Sequence, residues 1–167
     1  ITDAKPSQVR GMGLRLSNEI APDMYNYGHL QVIFDDGTIG WYEAGWGPMM
    51  SETAFFVKDI ISPNGCVSIV MTEGAKSDDH DTHTKTNSIR IHRAATKPGG
   101  GFAKDDDLLS MTDEPGHDEL CAREQAYMLK AIREDIDLSR HMDDAVQSLR
   151  ICIAADESIR FGKPVDL

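Results

Sequence analysis

The chain has 167 residues, 40% of them hydrophobic and 27% charged, which is enough for one domain with a real core, and no run approaches the roughly 20 apolar residues of a membrane span. Its formal charge of -11 argues against a nucleic-acid footprint, which needs clustered Lys and Arg that the sequence does not offer, and the acidity reads as a solvated negative surface. Three cysteines, Cys66, Cys121 and Cys152, lack CxxC spacing, so neither a disulfide framework nor a zinc motif is indicated and a reducing cytoplasm is expected.

The opening "ITDAKPSQVRG" has no apolar h-region and no initiator Met, and it reads as the middle of a longer protein. In "VRGMGLRL", Met12, Leu14 and Leu16 share one face, as do Leu30, Val32 and Phe34 in "HLQVIF", the period of strands with one buried side. "DDGT", Asp35 to Thr38, reads as a tight hairpin turn in which Gly37 takes φ > 0 and leads into "IGWYEAGW". "SPNG", Ser62 to Gly65, reads as a second turn between "AFFVKDII" and "CVSIVM", and "NSIRIHR" as a sixth strand.

The period then changes. Leu120, Glu124, Tyr127, Met128 and Ile132 fall near helical spacing, and Met142, Val146, Leu149, Ile153 and Ile159 mark a second helix, with Ser139 as its N-cap and Gly162, Lys163 and Pro164 as its stop. Two polar segments, residues 72–86 and 94–116, read as surface excursions. The expected architecture is a single α+β domain over residues 1–167: an open, predominantly antiparallel sheet of about six strands with C-terminal helices on one face.

Several of these stretches resemble a known family. The ending "AREQAYMLKAIRED" and "HMDDAVQSLRICIAADESIRFGKPVDL" resembles the end of the Gfo/Idh/MocA oxidoreductases, the glucose-fructose oxidoreductase and inositol dehydrogenase relatives. The hairpin "GHLQVIFDDGTIGWYEAGW" and "VKDIISPNGCVSIV" resemble the sheet of that family's C-terminal domain. The resemblance implies a two-domain enzyme: an N-terminal Rossmann domain binds NAD or NADP, and the C-terminal α+β domain shapes the substrate site and mediates oligomerisation. It implies hydride transfer between a sugar or polyol carbinol carbon and the nicotinamide.

Only the second of those domains is matched here. The chain has no strand-GxGxxG-helix unit, and "GGG" at Gly99 to Gly101 sits between Pro98 and a charge run. The family's lysine motif and its aspartate-histidine stretch have no counterpart, and neither Asp23 nor His29 fits them. No catalytic residue, cofactor site or metal site is therefore assigned, and the chain alone is expected not to turn over.

If the strands form a simple meander, Asp23, Tyr25, Tyr27, Trp46, Met49 and Met50 gather at one rim. Tyr25, Tyr27, Trp46 and Met49 are the candidate substrate contacts, because polyol recognition combines hydroxyl hydrogen bonds with apolar surface. The competing reading has these residues packing on the Rossmann domain or a second subunit. Alternation puts Trp41 and Glu43 on one face and Tyr42 and Ala44 on the other, and the three residues Trp41, Tyr42 and Glu43 are assigned to a homodimer or higher homo-oligomer contact.

"DDHDTH" contains the ligand types Asp79, His80, Asp81 and His83 without a rigid spacing, and reads as a solvated loop. His92 and His141 read as structural, and the cysteines as buried thiols. The rival to the dehydrogenase reading is a non-catalytic dimeric binding or assembly module.

Overall fold

A computed structural model describes residues 3–47, 58–70, 86 and 88–167. In chain order the elements are β1 (Pro6–Leu14), β2 (Tyr27–Phe34), β3 (Ile39–Gly45), β4 (Asp59–Ser62), β5 (Gly65–Val70), β6 (Ser88–Arg93), β7 (Asp107–Ser110), α1 (His117–Glu134), α2 (Ser139–Phe161) and β8 (Val165–Asp166). They fall into two compact units, Ile1–Met50 with Arg133–Leu167, and Ser51–Ile132.

The class is α+β, but the expected single sheet of about six strands is corrected to two antiparallel four-stranded sheets, ordered β3-β2-β1-β8 and β4-β5-β6-β7. Tight turns join β2 to β3 and β4 to β5, whereas β3 and β4 are neighbours in neither sheet. The added strands β7 and β8 are four and two residues long, too short for alternation to announce them.

In the first unit, α2 packs on one face of the sheet. The core is Val9, Val32, Ala154 and Ala155, flanked by Leu30, Phe34, Ile151, Val165 and Leu167. Close approach depends on small residues on both sides: a Cβ on Gly11 would stand 2.6 Å from the Ala155 carbonyl oxygen. The covered face of β1 is thus Val9, Gly11 and Gly13, while Met12 and Leu14, which the pattern placed inside, are 50% and 56% exposed on the other side. Leu30, Val32 and Phe34 do face the helix, opposite Gly11, Val9 and Pro6.

The same reversal appears in α2. Its buried residues are Ala154, Ala155 and Ser158, while Met142, Val146, Leu149 and Ile153 are exposed. Ser139 is the first helical residue rather than the cap; the Asp137 carboxylate accepts from the Ser139 N–H at 2.9 Å and from its hydroxyl. Those bonds hold Asp137 below the usual carboxylate range. At the far end Gly162 adopts the left-handed conformation (φ 65°) and its N–H donates to the Ser158 carbonyl at 2.8 Å, as the sequence predicts.

In the second unit β4 to β7 form a meander. The stretch 94–116 contains a hairpin as well as β7: Thr96 bridges Phe102, and the Lys97 N–H donates to the Gly101 carbonyl at 2.9 Å across the glycine run. Gly99, Gly100 and Gly101 all have positive φ, so this run is a turn between two strands. On one face His92 shares a 2.8 Å contact from Nδ1 to the Asp106 carboxylate, with the Phe102 ring edge-on at 4.4 Å. Thr86 donates its N–H to Glu114 at 2.6 Å. In α1, Ala131 is the buried residue, and Leu120, Tyr127, Met128 and Ile132 are exposed.

Candidate functional site

The face of the first sheet opposite α2 collects the aromatic and charged residues of the opening half. Register fixes it as cross-strand rows: Arg10, Gln31 and Trp41; then Met12, His29 and Glu43; then Leu14, Tyr27 and Gly45. Diagonal neighbours in such a sheet are within reach of long side chains. Two diagonal contacts form here. His29 stacks on Trp41 with ring centroids 4.6 Å apart and planes 14° off parallel, and the Tyr27 hydroxyl donates to Glu43 Oε1 at 2.5 Å.

The bond to Glu43 is the main reason the Tyr27 phenol sits above its ordinary range, followed by desolvation and the carboxylate charge. His29 Nδ1 is buried and has no hydrogen-bond partner among the described residues. Trp41 is 58% exposed, and Met12, Leu14 and Ile39 add apolar surface beside it. Arg10 is exposed and its side chain bonds to no group of the described residues.

Tyr25 lies on the other side of the same sheet. Its ring packs against Gly13, where a Cβ would meet it at 2.9 Å, and its hydroxyl donates to Asp156 Oδ1 of α2 at 3.0 Å. Arg160 Nε donates to the other Asp156 oxygen at 2.7 Å. Burial, then the Asp156 bond and charge, pushes the Tyr25 phenol up, with Arg160 opposing. Tyr25 and Tyr27, two residues apart, therefore serve opposite faces and form no shared rim.

Trp46 is placed through its backbone. Asn26, 2% exposed, donates from Nδ2 to the Trp46 carbonyl and to Ser17 Oγ, both at 3.1 Å, and accepts at Oδ1 from the Leu16 N–H at 2.9 Å. The Trp46 N–H returns to the Asn26 carbonyl at 2.9 Å. One buried amide thus ties the ends of β1 and β3 to the start of β2, leaving the Trp46 ring exposed. Met49 and Met50 lie outside the described residues.

Trp41 and Glu43 share the open face, and Tyr42 projects to the helix side, where it too is exposed. His29, Arg10 and Asn26 were missed as contributors. Asn26 directly before a strand and Arg10 inside an alternating one were the available signals.

Among the described residues no group of three or more His, Cys, Asp or Glu side chains is arranged to hold a metal ion. Asp79, His80, Asp81 and His83 lie outside the described residues. Of the thiols expected to be buried, Cys66 and Cys121 are half-buried and Cys152 is exposed, because it faces away from the sheet on α2. Among the described residues no helix is long and apolar enough to cross a membrane.

No family model matches the chain, and no curated protein matches it in sequence. Among solved structures it is similar to an oxidoreductase from Agrobacterium radiobacter in complex with NAD+, L-tartaric acid and magnesium, with a TM-score of 0.64 and 13% identity. The match covers 97% of this chain and 43% of that one, so the chain spans less than half the length of that enzyme. At this identity the likeness is one of fold.

Proposed function

We propose that the chain is the substrate-shaping and oligomerising domain of an NAD(P)-dependent dehydrogenase of the Gfo/Idh/MocA type, acting on the CH–OH group of a sugar or polyol. The observation that carries this reading is the fold likeness over nearly the whole chain to under half of an NAD+-bound oxidoreductase. The C-terminal sequence resemblance supports it independently.

The described residues do not themselves fit a dinucleotide. The glycine run Gly99 to Gly101 turns between strands, with no helix N-terminus behind it to receive a pyrophosphate. In this proposal the cofactor belongs to a separate Rossmann domain, and the present chain supplies substrate contacts from Tyr27, Trp46 and Met49. Tyr25 acts behind them, holding the pre-β2 loop to α2.

The test is twofold. Calorimetry of this chain with NAD+ and NADP+ is expected to show no saturable binding, and the longer protein containing it is expected to reduce one of them with a sugar or polyol from a panel. Saturable nicotinamide binding by this chain, or a longer protein without a Rossmann fingerprint, would overturn the reading.

The open face favours a second role within the same proposal, association of two copies through the sheet. Trp41 and Ile39 on β3 and Met12 and Leu14 on β1 expose apolar side chains on both sides of β2, of the kind that marks an interface. A non-catalytic assembly module would use this face equally, and the upstream sequence separates the two.

A further inference from the structure

We infer that the open face is self-complementary, with Arg10 of one copy seated between Trp41 and Glu43 of a second. The inference rests on the proposed sheet-face association and specifies how the two faces meet.

The starting point is charge. The chain carries a formal net charge of -11, so two copies repel over most of their surfaces. Over its three long strands, however, the open face carries one basic side chain, Arg10 on β1, and one acidic side chain, Glu43 on β3. On β8 the Asp166 carboxylate already accepts from Gln8 Nε2 at 2.8 Å. The three long strands of this face therefore sum to zero formal charge, with the Asp166 carboxylate at the β8 edge, so a second copy meets far less like charge here than the net charge of the chain implies.

Position comes next. Arg10 and Glu43 lie on opposite sides of the middle strand β2 and are offset by one row, since Arg10 is level with Trp41 while Glu43 is level with Met12. Within one copy they are two strands apart and do not pair.

A two-fold axis running parallel to the strands and along β2, midway between two facing sheets, superposes β1 of one copy on β3 of the other. Facing sheets pack about 10 Å apart, and same-face residues are spaced about 7 Å along a strand. Arg10 then stands over the second copy's Trp41, with that copy's Glu43 one row along and within reach of a guanidinium. A cation beside an indole and a carboxylate is a favoured arginine environment. Symmetry makes the contact twice. An axis across the strands would instead place β1 on β1, opposing Arg10 to its own strand.

The test is sedimentation equilibrium of this chain as wild type, Arg10→Glu, Glu43→Arg and the double reversal, with circular dichroism confirming folding. Tyr27→Phe controls for loss of the Tyr27 hydrogen bond that Glu43→Arg also causes. The expected result is a wild-type dimer, about tenfold or greater weakening by each single reversal, and recovery of most of that loss in the double reversal. A wild-type dimer with indifferent single variants, or with no recovery in the double, overturns the placement of Arg10 while leaving sheet-face association standing. A wild type that stays monomeric at high micromolar concentration overturns the association itself.

Discussion

Gly11 and Ser158 are bound to each other across almost the whole chain: the Gly11 N–H donates to Ser158 Oγ at 3.0 Å, 147 residues away in sequence. Ser158 is 1% exposed, and its hydroxyl donates onward to the Lys163 carbonyl at 2.7 Å. One side chain thus satisfies a strand amide beyond the reach of the two-residue β8 and a carbonyl just past the helix C-cap. Replacing Ser158 with Ala leaves a buried strand amide and a part-buried carbonyl without this partner, and is expected to cost about 1–3 kcal/mol in urea unfolding at an unchanged slope.

Gly11→Ala tests the closeness of the same contact. The new methyl would meet the Ala155 carbonyl oxygen at 2.6 Å and Ile159 Cγ1 at 3.0 Å, and a helix backbone cannot turn aside as a flexible side chain can. A loss of about 1–3 kcal/mol is expected from overpacking, against a much smaller effect for the same change at Gly40, where the added Cβ would stand 3.5 Å or more from its neighbours. Gly40 is also a strand residue of the same sheet without positive φ, so its change sets the backbone reference for Gly11.

Tyr25→Phe removes the hydroxyl from Asp156 while Arg160 stays bound to the other carboxylate oxygen. The expected loss near neutral pH is about 0.5–1.5 kcal/mol. Because the phenol is raised in the folded chain, its contribution is fully present below the ordinary tyrosine value of about 10 and is lost as pH rises through the folded value. Thermal melts taken from neutral to alkaline pH should therefore show a shallower decline for the variant than for wild type.

Asp137→Ala addresses the start of α2. The Asp137 carboxyl is depressed by bonds from Ser139, so its contribution is present above the unfolded aspartate value of about 3.9 and fades as pH falls through the folded value. The variant should melt a few degrees lower at neutral pH and converge on wild type in acid. Ser139→Ala, which removes only the hydroxyl donor, should lose less because the Ser139 N–H still reaches Asp137.

Turns were the most legible part of the chain. Asp35 to Thr38 closes as expected because glycine at position 37 takes φ 84° and the Thr38 N–H reaches the Asp36 carboxylate at 2.9 Å, and both preferences are local. The burial side of β1 was not legible. A hydrophobicity pattern scores Met12 and Leu14 above Gly11 and Gly13, yet helix-to-sheet distance rewards the absence of a side chain. The α2 stripe failed for the same reason, since Ala154, Ala155 and Ser158 score below Leu149 and Ile153.

The candidate site divides likewise. Alternation correctly put Trp41 with Glu43, and register then showed that Tyr27 and His29 join them. Tyr25 precedes the strand, outside the reach of that parity rule, and its neighbour Asp156 is 131 residues away.

The return of α2 and β8 to the first sheet also sets an order of events on the ribosome. β1 is made before the second unit, yet the residues that cover Val9 and fill the space over Gly11 follow that unit in the chain. The second unit is complete by residue 132, so it can close while the first sheet is still waiting. That wait leaves a hydrophobic hairpin uncovered while the second unit is made, the circumstance in which nascent chains recruit chaperones and in which a chain cut short before α2 would yield aggregate instead of a smaller folded product.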